Sequence, residues 1–130
     1  MEAVSNNYEK GAIKVAFATN DTKNIDAHFG GAKQFYIYNV TSKTSDLFHV
    51  VNIQAKDTDE TIAKLHGVDI VYFVDIGPTA AAKVINNVIF PIKYKDIVNI
   101  DSEIDKLKKM LSTNPPPFIK KIIDRKEAVV

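Results

Sequence analysis

Residues 69–74 read DIVYFV, a nearly unbroken apolar run. A strand apolar on both sides of its pleat belongs where both faces of a sheet are covered, the usual setting of a buried parallel strand. Residues 12–19, AIKVAFAT, make the same demand. Ile13, Val15 and Phe17 alternate onto one face, and only Lys14 is polar on the other, ahead of Ala16 and Ala18. Two such strands call for a sheet packed between helical layers, with residues 12–19 central.

The remaining segments supply those layers. Residues 34–40 (QFYIYNV) and 47–53 (LFHVVNI) are rich in aromatic and β-branched side chains and are joined by the polar TSKTSD, which predicts a hairpin. Simple alternation puts His49 on one face with Leu47, Val51 and Ile53, as a partly buried strand histidine. In KDTDETIAKLHG, Asp57 is a good N-cap, Glu60 follows three residues on, and Gly67 ends the helix. His66 falls in its last turn, where an imidazolium suits the negative end of the dipole; a metal-ligand role is the minor alternative. DIGPTAAAKVINN opens a second helix with Pro78 near its first position. FPIKY reads as a short strand that Pro91 places at an edge. In DSEIDKLKKML, Ile104, Leu107 and Leu111 form one apolar stripe.

NPPPFIKKIIDRKEAVV begins with a helix stop and continues as a short amphipathic segment, Ile119, Ile122 and Ile123 against Lys120, Lys121 and Arg125. The triple proline and the shortness of the basic segment predict that residues beyond Pro117 lie peripheral to the core. The chain thus divides into a loose leader (1–11), an α/β domain (12–113) and a Pro-led tail (114–130). The element order predicts a five-stranded mixed sheet, one strand antiparallel, with helices on both faces.

Composition narrows the function classes. Of 130 residues, 17 are Lys or Arg and 16 Asp or Glu, so the net charge of +1 argues against a general nucleic-acid binder. No apolar run approaches the roughly 20 residues that span a bilayer. The polar start, MEAVSNNYEKG, lacks the apolar core of an export signal, which makes the cytoplasm the expected compartment. There is no cysteine. Thiolate nucleophiles, sulfur-held zinc and cysteine-held iron–sulfur clusters are therefore excluded. Imidazole chemistry is limited to His28, His49 and His66.

In open sheets, ligands bind beyond the carboxyl ends of the parallel strands. Two loops meet that description, TNDTKNIDAHFGG (19–31) and DIGPT (75–79). If their strands are neighbours, His28 faces the start of the second helix. Free backbone N–H groups near Gly77 and Thr79, either side of Pro78, favour an anion there, and Lys23 and Lys33 add positive charge. Gly30 and Gly31 either permit positive φ or let a ligand approach the backbone. Phe29 reads first as a core residue that anchors the loop, and only second as a contact residue. The bland reading of His28 is a loop histidine that steadies its own turn. No Walker-type or GxGxxG signature is present.

The stretch VAFATNDTKNIDAHFGGAKQFYIYNV resembles the opening of the dinitrogenase iron–molybdenum cofactor-binding family: an apolar strand, a polar loop ending in His-Phe-Gly, then an aromatic-rich strand. DIVYFVDIGPTAAAKV is similar to that family's second motif, and NPPPF to the end of its NifX-type members. The resemblance covers roughly residues 12–120. It implies a three-layer, ribonuclease-H-like fold and a carrier, not an enzyme. Such carriers bind the iron–molybdenum cofactor or its iron–sulfur precursor as cargo and exchange it with nitrogenase cofactor-assembly proteins, the donor and the acceptor. It also implies that His28 is the iron ligand, with Phe29, Gly30, Gly31, Lys23, Lys33, Gly77, Pro78 and Thr79 around the cargo. Many NifX-type members carry cysteines around the fourth strand; Val68 and Phe73 stand at those places here. Two other classes compete with this one. One is a metal-free module docking on a nitrogenase component, with the tail as the contact. The other is a magnesium-dependent nuclease using Asp21, Asp26 and Asp75.

Overall fold

The structure is a computed structural model that describes residues 12–129; the leader assigned to residues 1–11 lies outside the described residues. Five strands form the main sheet in the order β4-β3-β1-β5-β6. They are β1 (Ile13–Thr19), β3 (Gln34–Val40), β4 (Ser45–Asn52), β5 (Ile70–Phe73) and β6 (Phe90–Lys93). β1 pairs parallel with β5, and β5 with β6, while β3 runs antiparallel to both β1 and β4. A two-residue ribbon, β2 (Asn24–Ile25) with β7 (Val98–Asn99), was not foreseen. Four helices complete the chain: α1 (Thr58–Lys64), α2 (Pro78–Asn86), α3 (Ile100–Ser112) and α4 (Pro117–Val129).

Both faces of the sheet are covered, as the doubly apolar strands require. Ile13, Val15 and Phe17 of β1 join Ile70 and Tyr72 of β5 beneath α3 and α4. On the opposite face Ala16, Ala18, Val71 and Phe73 meet Ile62 and Leu65 of the α1 region and Val84 of α2. The caps predicted at Asp57 and Gly67 hold, and a further one is found at Asn99. The Asp57 carboxylate accepts from the N–H groups of Asp59 and Glu60 at 3.0 and 3.3 Å, and Gly67 has the positive φ (89°) that ends this helix. Asn99 caps α3 by accepting from the Ser102 N–H at 2.9 Å.

Two expectations need correction. His49 is exposed. A bulge leaves Phe48 without a partner, since Ile37 faces His49 and the next residue, Tyr38, faces Leu47. The extra residue breaks the period-2 alternation and moves Leu47 to the other face, whereas His49 keeps the face of Val51 and is exposed on the edge strand β4. The residues beyond Pro117 are not peripheral either. Pro117 starts a helix, the position where a fixed φ and a missing N–H do no harm. Ile119 and Ile122 are buried in the core beneath it.

The edge strand β6 accommodates its proline for a geometric reason. Phe90 and Tyr94 donate their N–H groups to Asp69 and Phe73 of the β5 side at 2.8 and 2.9 Å. Alternation then turns the amide position of Pro91 away from β5, where no ladder bond is lost.

Candidate functional site

The carboxyl ends of β1 and β5 are neighbours, and the loop after β1 is organised by Asp21. Its carboxylate accepts from the N–H groups of Lys23 (2.8 Å) and Asn24 (2.7 Å), the Asn24 side-chain amide (2.6 Å) and the Thr19 hydroxyl (3.3 Å). These bonds, the Asn24 side chain foremost, hold the Asp21 carboxyl down to about 2. The β2–β7 ribbon then seats Ile25 in the core on the α3 side. The chain next crosses the end of the sheet, Asp26 accepting from the Asn20 N–H at 2.7 Å, and buries Ala27 and Phe29 on the opposite face.

His28 sits on the outside of that crossing. The Ala27 carbonyl accepts from the Val74 N–H at 2.9 Å, and the Phe29 N–H donates to the Asp75 carbonyl at 2.8 Å. Both neighbours of His28 are thus tied to the exit of β5, while His28 itself stays exposed. Phe29 is a core residue, its ring 5.5 Å from Phe35 and 6.2 Å from Phe73. It anchors the loop instead of facing solvent. Gly30 and Gly31 are exposed in a single 3-10 turn (Phe29–Gly31). Neither has a positive φ, and a Cβ added at either would meet nothing within 4 Å. The chain's own backbone therefore does not require glycine there.

A charged pair that the sequence reading missed lies alongside. Lys93, at the carboxyl end of β6, approaches Asp75 at 3.2 Å, and Asp75 also accepts from the Ile76 N–H at 2.8 Å. The Ile76 bond, then Lys93, and least the charge of His28, lower the Asp75 pKa. The rule that ligands gather beyond parallel strand ends could have found Lys93, because β6 ends beside β5. Next in the chain, α2 begins Gly77-Pro78-Thr79, all exposed, and no side chain caps it. Lys33 belongs to this end too: its N–H donates to Asn20 at 2.8 Å and its carbonyl accepts from Ile53 at 2.9 Å. Lys23 is set apart. Its carbonyl accepts from the Ile100 N–H at 3.0 Å, which ties it to the start of α3 on the other face.

Among the described residues no group of three or more His, Asp or Glu side chains could hold a metal ion. Asp21, Asp26 and Asp75 each serve local hydrogen bonds, so the carboxylate cluster of a two-metal nuclease is not assembled. His66 follows α1 and is exposed at the opposite end of the sheet. Among the described residues, no helix is long and apolar enough to cross a membrane.

Comparison with known proteins agrees with this geometry. A family described as dinitrogenase iron-molybdenum cofactor matches residues 11–110, which include β1, the His28 loop, α2 and most of α3. The chain is 32% identical to protein NifX of Rhodobacter capsulatus over 85% of this chain and 77% of that one. It is 31% identical to protein NifX of Sinorhizobium fredii over 87% and 79% respectively. The crystal structure of PH0822 shares the fold, with a TM-score of 0.63 and 24% identity over 75% of this chain and 89% of that one. With its sheet order, its His-Phe-Gly loop and these similarities in agreement, the chain belongs to the dinitrogenase iron–molybdenum cofactor family.

Proposed function

We propose that this protein carries the iron–molybdenum cofactor, or an iron–sulfur precursor of it, during nitrogenase cofactor biosynthesis. In this reading it is a cytoplasmic carrier with no catalytic step of its own, taking cargo from one assembly protein and giving it to another. The observation that carries the reading is the family match across residues 11–110. The site residues then take roles from their chemistry. His28 is the iron ligand, the one exposed imidazole at the carboxyl end of the parallel strands. One neutral nitrogen gives a reversible hold, which suits a cargo that must leave. The uncapped start of α2, Gly77 to Thr79, and the nearby Lys33 and Lys93 meet the anionic remainder of the cluster. Lys23, anchored beside α3, acts at the rim. Gly30 and Gly31 keep bare a surface that the cargo approaches. A metal-bound imidazole usually gives its second N–H to a carboxylate, and Asp75 is the carboxylate at hand.

The test is an anaerobic titration with isolated iron–molybdenum cofactor, followed by absorbance. His28→Ala should weaken binding at least about tenfold, some 1.4 kcal/mol, and leave the thermal midpoint in place. A variant that binds as tightly as the parent removes His28 from the site. A parent that binds no cofactor, yet associates with a nitrogenase component, favours the metal-free docking module.

A further inference from the structure

A cavity of about 600 Å³ opens at the amino end of the sheet, the end opposite His28. Its walls include Ile85 and Val88 at the end of α2, Phe90 of β6, and Phe118 and Ile122 of α4. Phe90 and Phe118 stack with ring centroids 4.4 Å apart. Ile85 is 58% exposed, Val88 55% and Phe90 41%. Single exposed apolar side chains are ordinary, but these converge on one concave surface.

Val88 makes the case sharper. It lies just past α2, with φ 60°. The Ile89 N–H reaches the Val84 carbonyl at 3.1 Å and the Val88 N–H reaches Ile85 at 3.0 Å, so this is the helix-ending turn that normally carries glycine or asparagine. A β-branched residue in the left-handed region is strained. Because the side chain is more than half exposed, core burial does not offset that strain. Strained residues of this kind gather where something binds.

The charges point to the kind of ligand. Asp69, on the wall, is buried but already matched by the Lys126 amine at 2.7 Å and the Lys14 N–H at 2.8 Å. Arg125 stands 3.8 Å from it and is half exposed. Lys121, one turn earlier on the same face of α4, is exposed and has no ion pair among the described residues. Two like charges spaced i, i+4 repel, and an anion between them would reverse that.

We propose that this cavity binds a small amphiphilic carboxylate. Its apolar body lies against Ile85, Val88, Phe90 and Phe118, and its carboxylate sits between Lys121 and Arg125. The volume is in the small-ligand range of roughly 300–1,000 Å³, with mostly apolar walls and few polar groups. Strand addition by a peptide is disfavoured here, because β6 turns a proline outward. This site is independent of the cargo site.

The test titrates the full chain with decanoate, below its micelle concentration, following amide chemical shifts. Decanoate should bind saturably and move residues 85–90 and 118–125, and decanol should bind at least about tenfold more weakly. Lys121→Gln should weaken decanoate by about the same factor. Val88→Asn should raise the thermal midpoint of the free protein while weakening decanoate. No saturable binding, binding that both variants leave intact, decanol binding as tightly as decanoate, or a lower midpoint for Val88→Asn would each overturn the proposal. None of these outcomes bears on cofactor carriage at the other end.

Discussion

The two ends of the sheet are built on opposite principles. At the carboxyl end, polar side chains are consumed in short-range hydrogen bonds, four of them to Asp21, and His28 is held out by backbone bonds on either side of it. At the amino end, contacts come from far along the chain: α4 returns to bury Ile119 and Ile122 and to pair Lys126 with Asp69, 57 residues earlier. The difference shows how one sheet can offer an exposed working loop while remaining stable. The loop orders itself locally, and the fold is closed elsewhere. The family match ends at residue 110, so the closure by α4 lies outside the matched region.

The comparison can be broken by removing the closure. Truncation after Thr113 takes away two buried isoleucines, worth about 2 kcal/mol each, and strips Asp69 of Arg125 and Lys126. Urea unfolding should show a loss of at least about 4 kcal/mol or no cooperative transition. A truncated chain as stable as the whole one would erase the distinction between the ends. Ile119→Ala alone should cost about 2–4 kcal/mol by the same measurement. The local end predicts a smaller, pH-dependent effect. The Asp21 carboxyl lies at about 2 in the folded chain against an ordinary 3.8. A depressed folded pKa contributes stability above the ordinary value, lost as pH falls from about 4 towards 2. Asp21→Ala should therefore flatten the fall in stability across that window, and an unchanged acid limb would show that Asp21 does not organise the loop. Smallest of all, His28→Ala should move unfolding stability by less than about 0.5 kcal/mol, as expected for an exposed side chain. A larger loss would make the histidine part of the local scaffold.

Most of the fold was legible because local chemistry and global position agree. The apolar runs of β1 and β5 required covering on both faces, and the cap at Asp57 and the stop at Gly67 mark where the first helix begins and ends. Alternation groups His49 correctly with Val51 but does not show that β4 is an edge strand, and it misplaces Leu47 because the bulge at Phe48 adds one residue that counting cannot register. The tail was misread because three prolines signal a stop equally well before a loop or before a helix that starts on the last of them. Whether Ile119 meets a core depends on the open face of a sheet formed far earlier in the chain. For the site, the topological rule pointed to the end of the sheet where the His28 loop is tied to the exit of β5, through Phe29 to Asp75 and Val74 to Ala27. It did not separate Lys23 from the rest, since the two-residue ribbon that draws it towards α3 is too short to leave a periodic signal.

The outward turn of Pro91 has a colloidal consequence. A sheet with a bare edge is a template onto which partly folded chains can add, and growth of that kind depends on a row of unpaired donors. At the β6 edge only positions 91 and 93 turn their amides outward, and proline removes one of those two donors by covalent structure; at the β4 edge the bulge at Phe48 puts the strand out of step with any flat partner. Both edges are thereby made poor templates for a further strand.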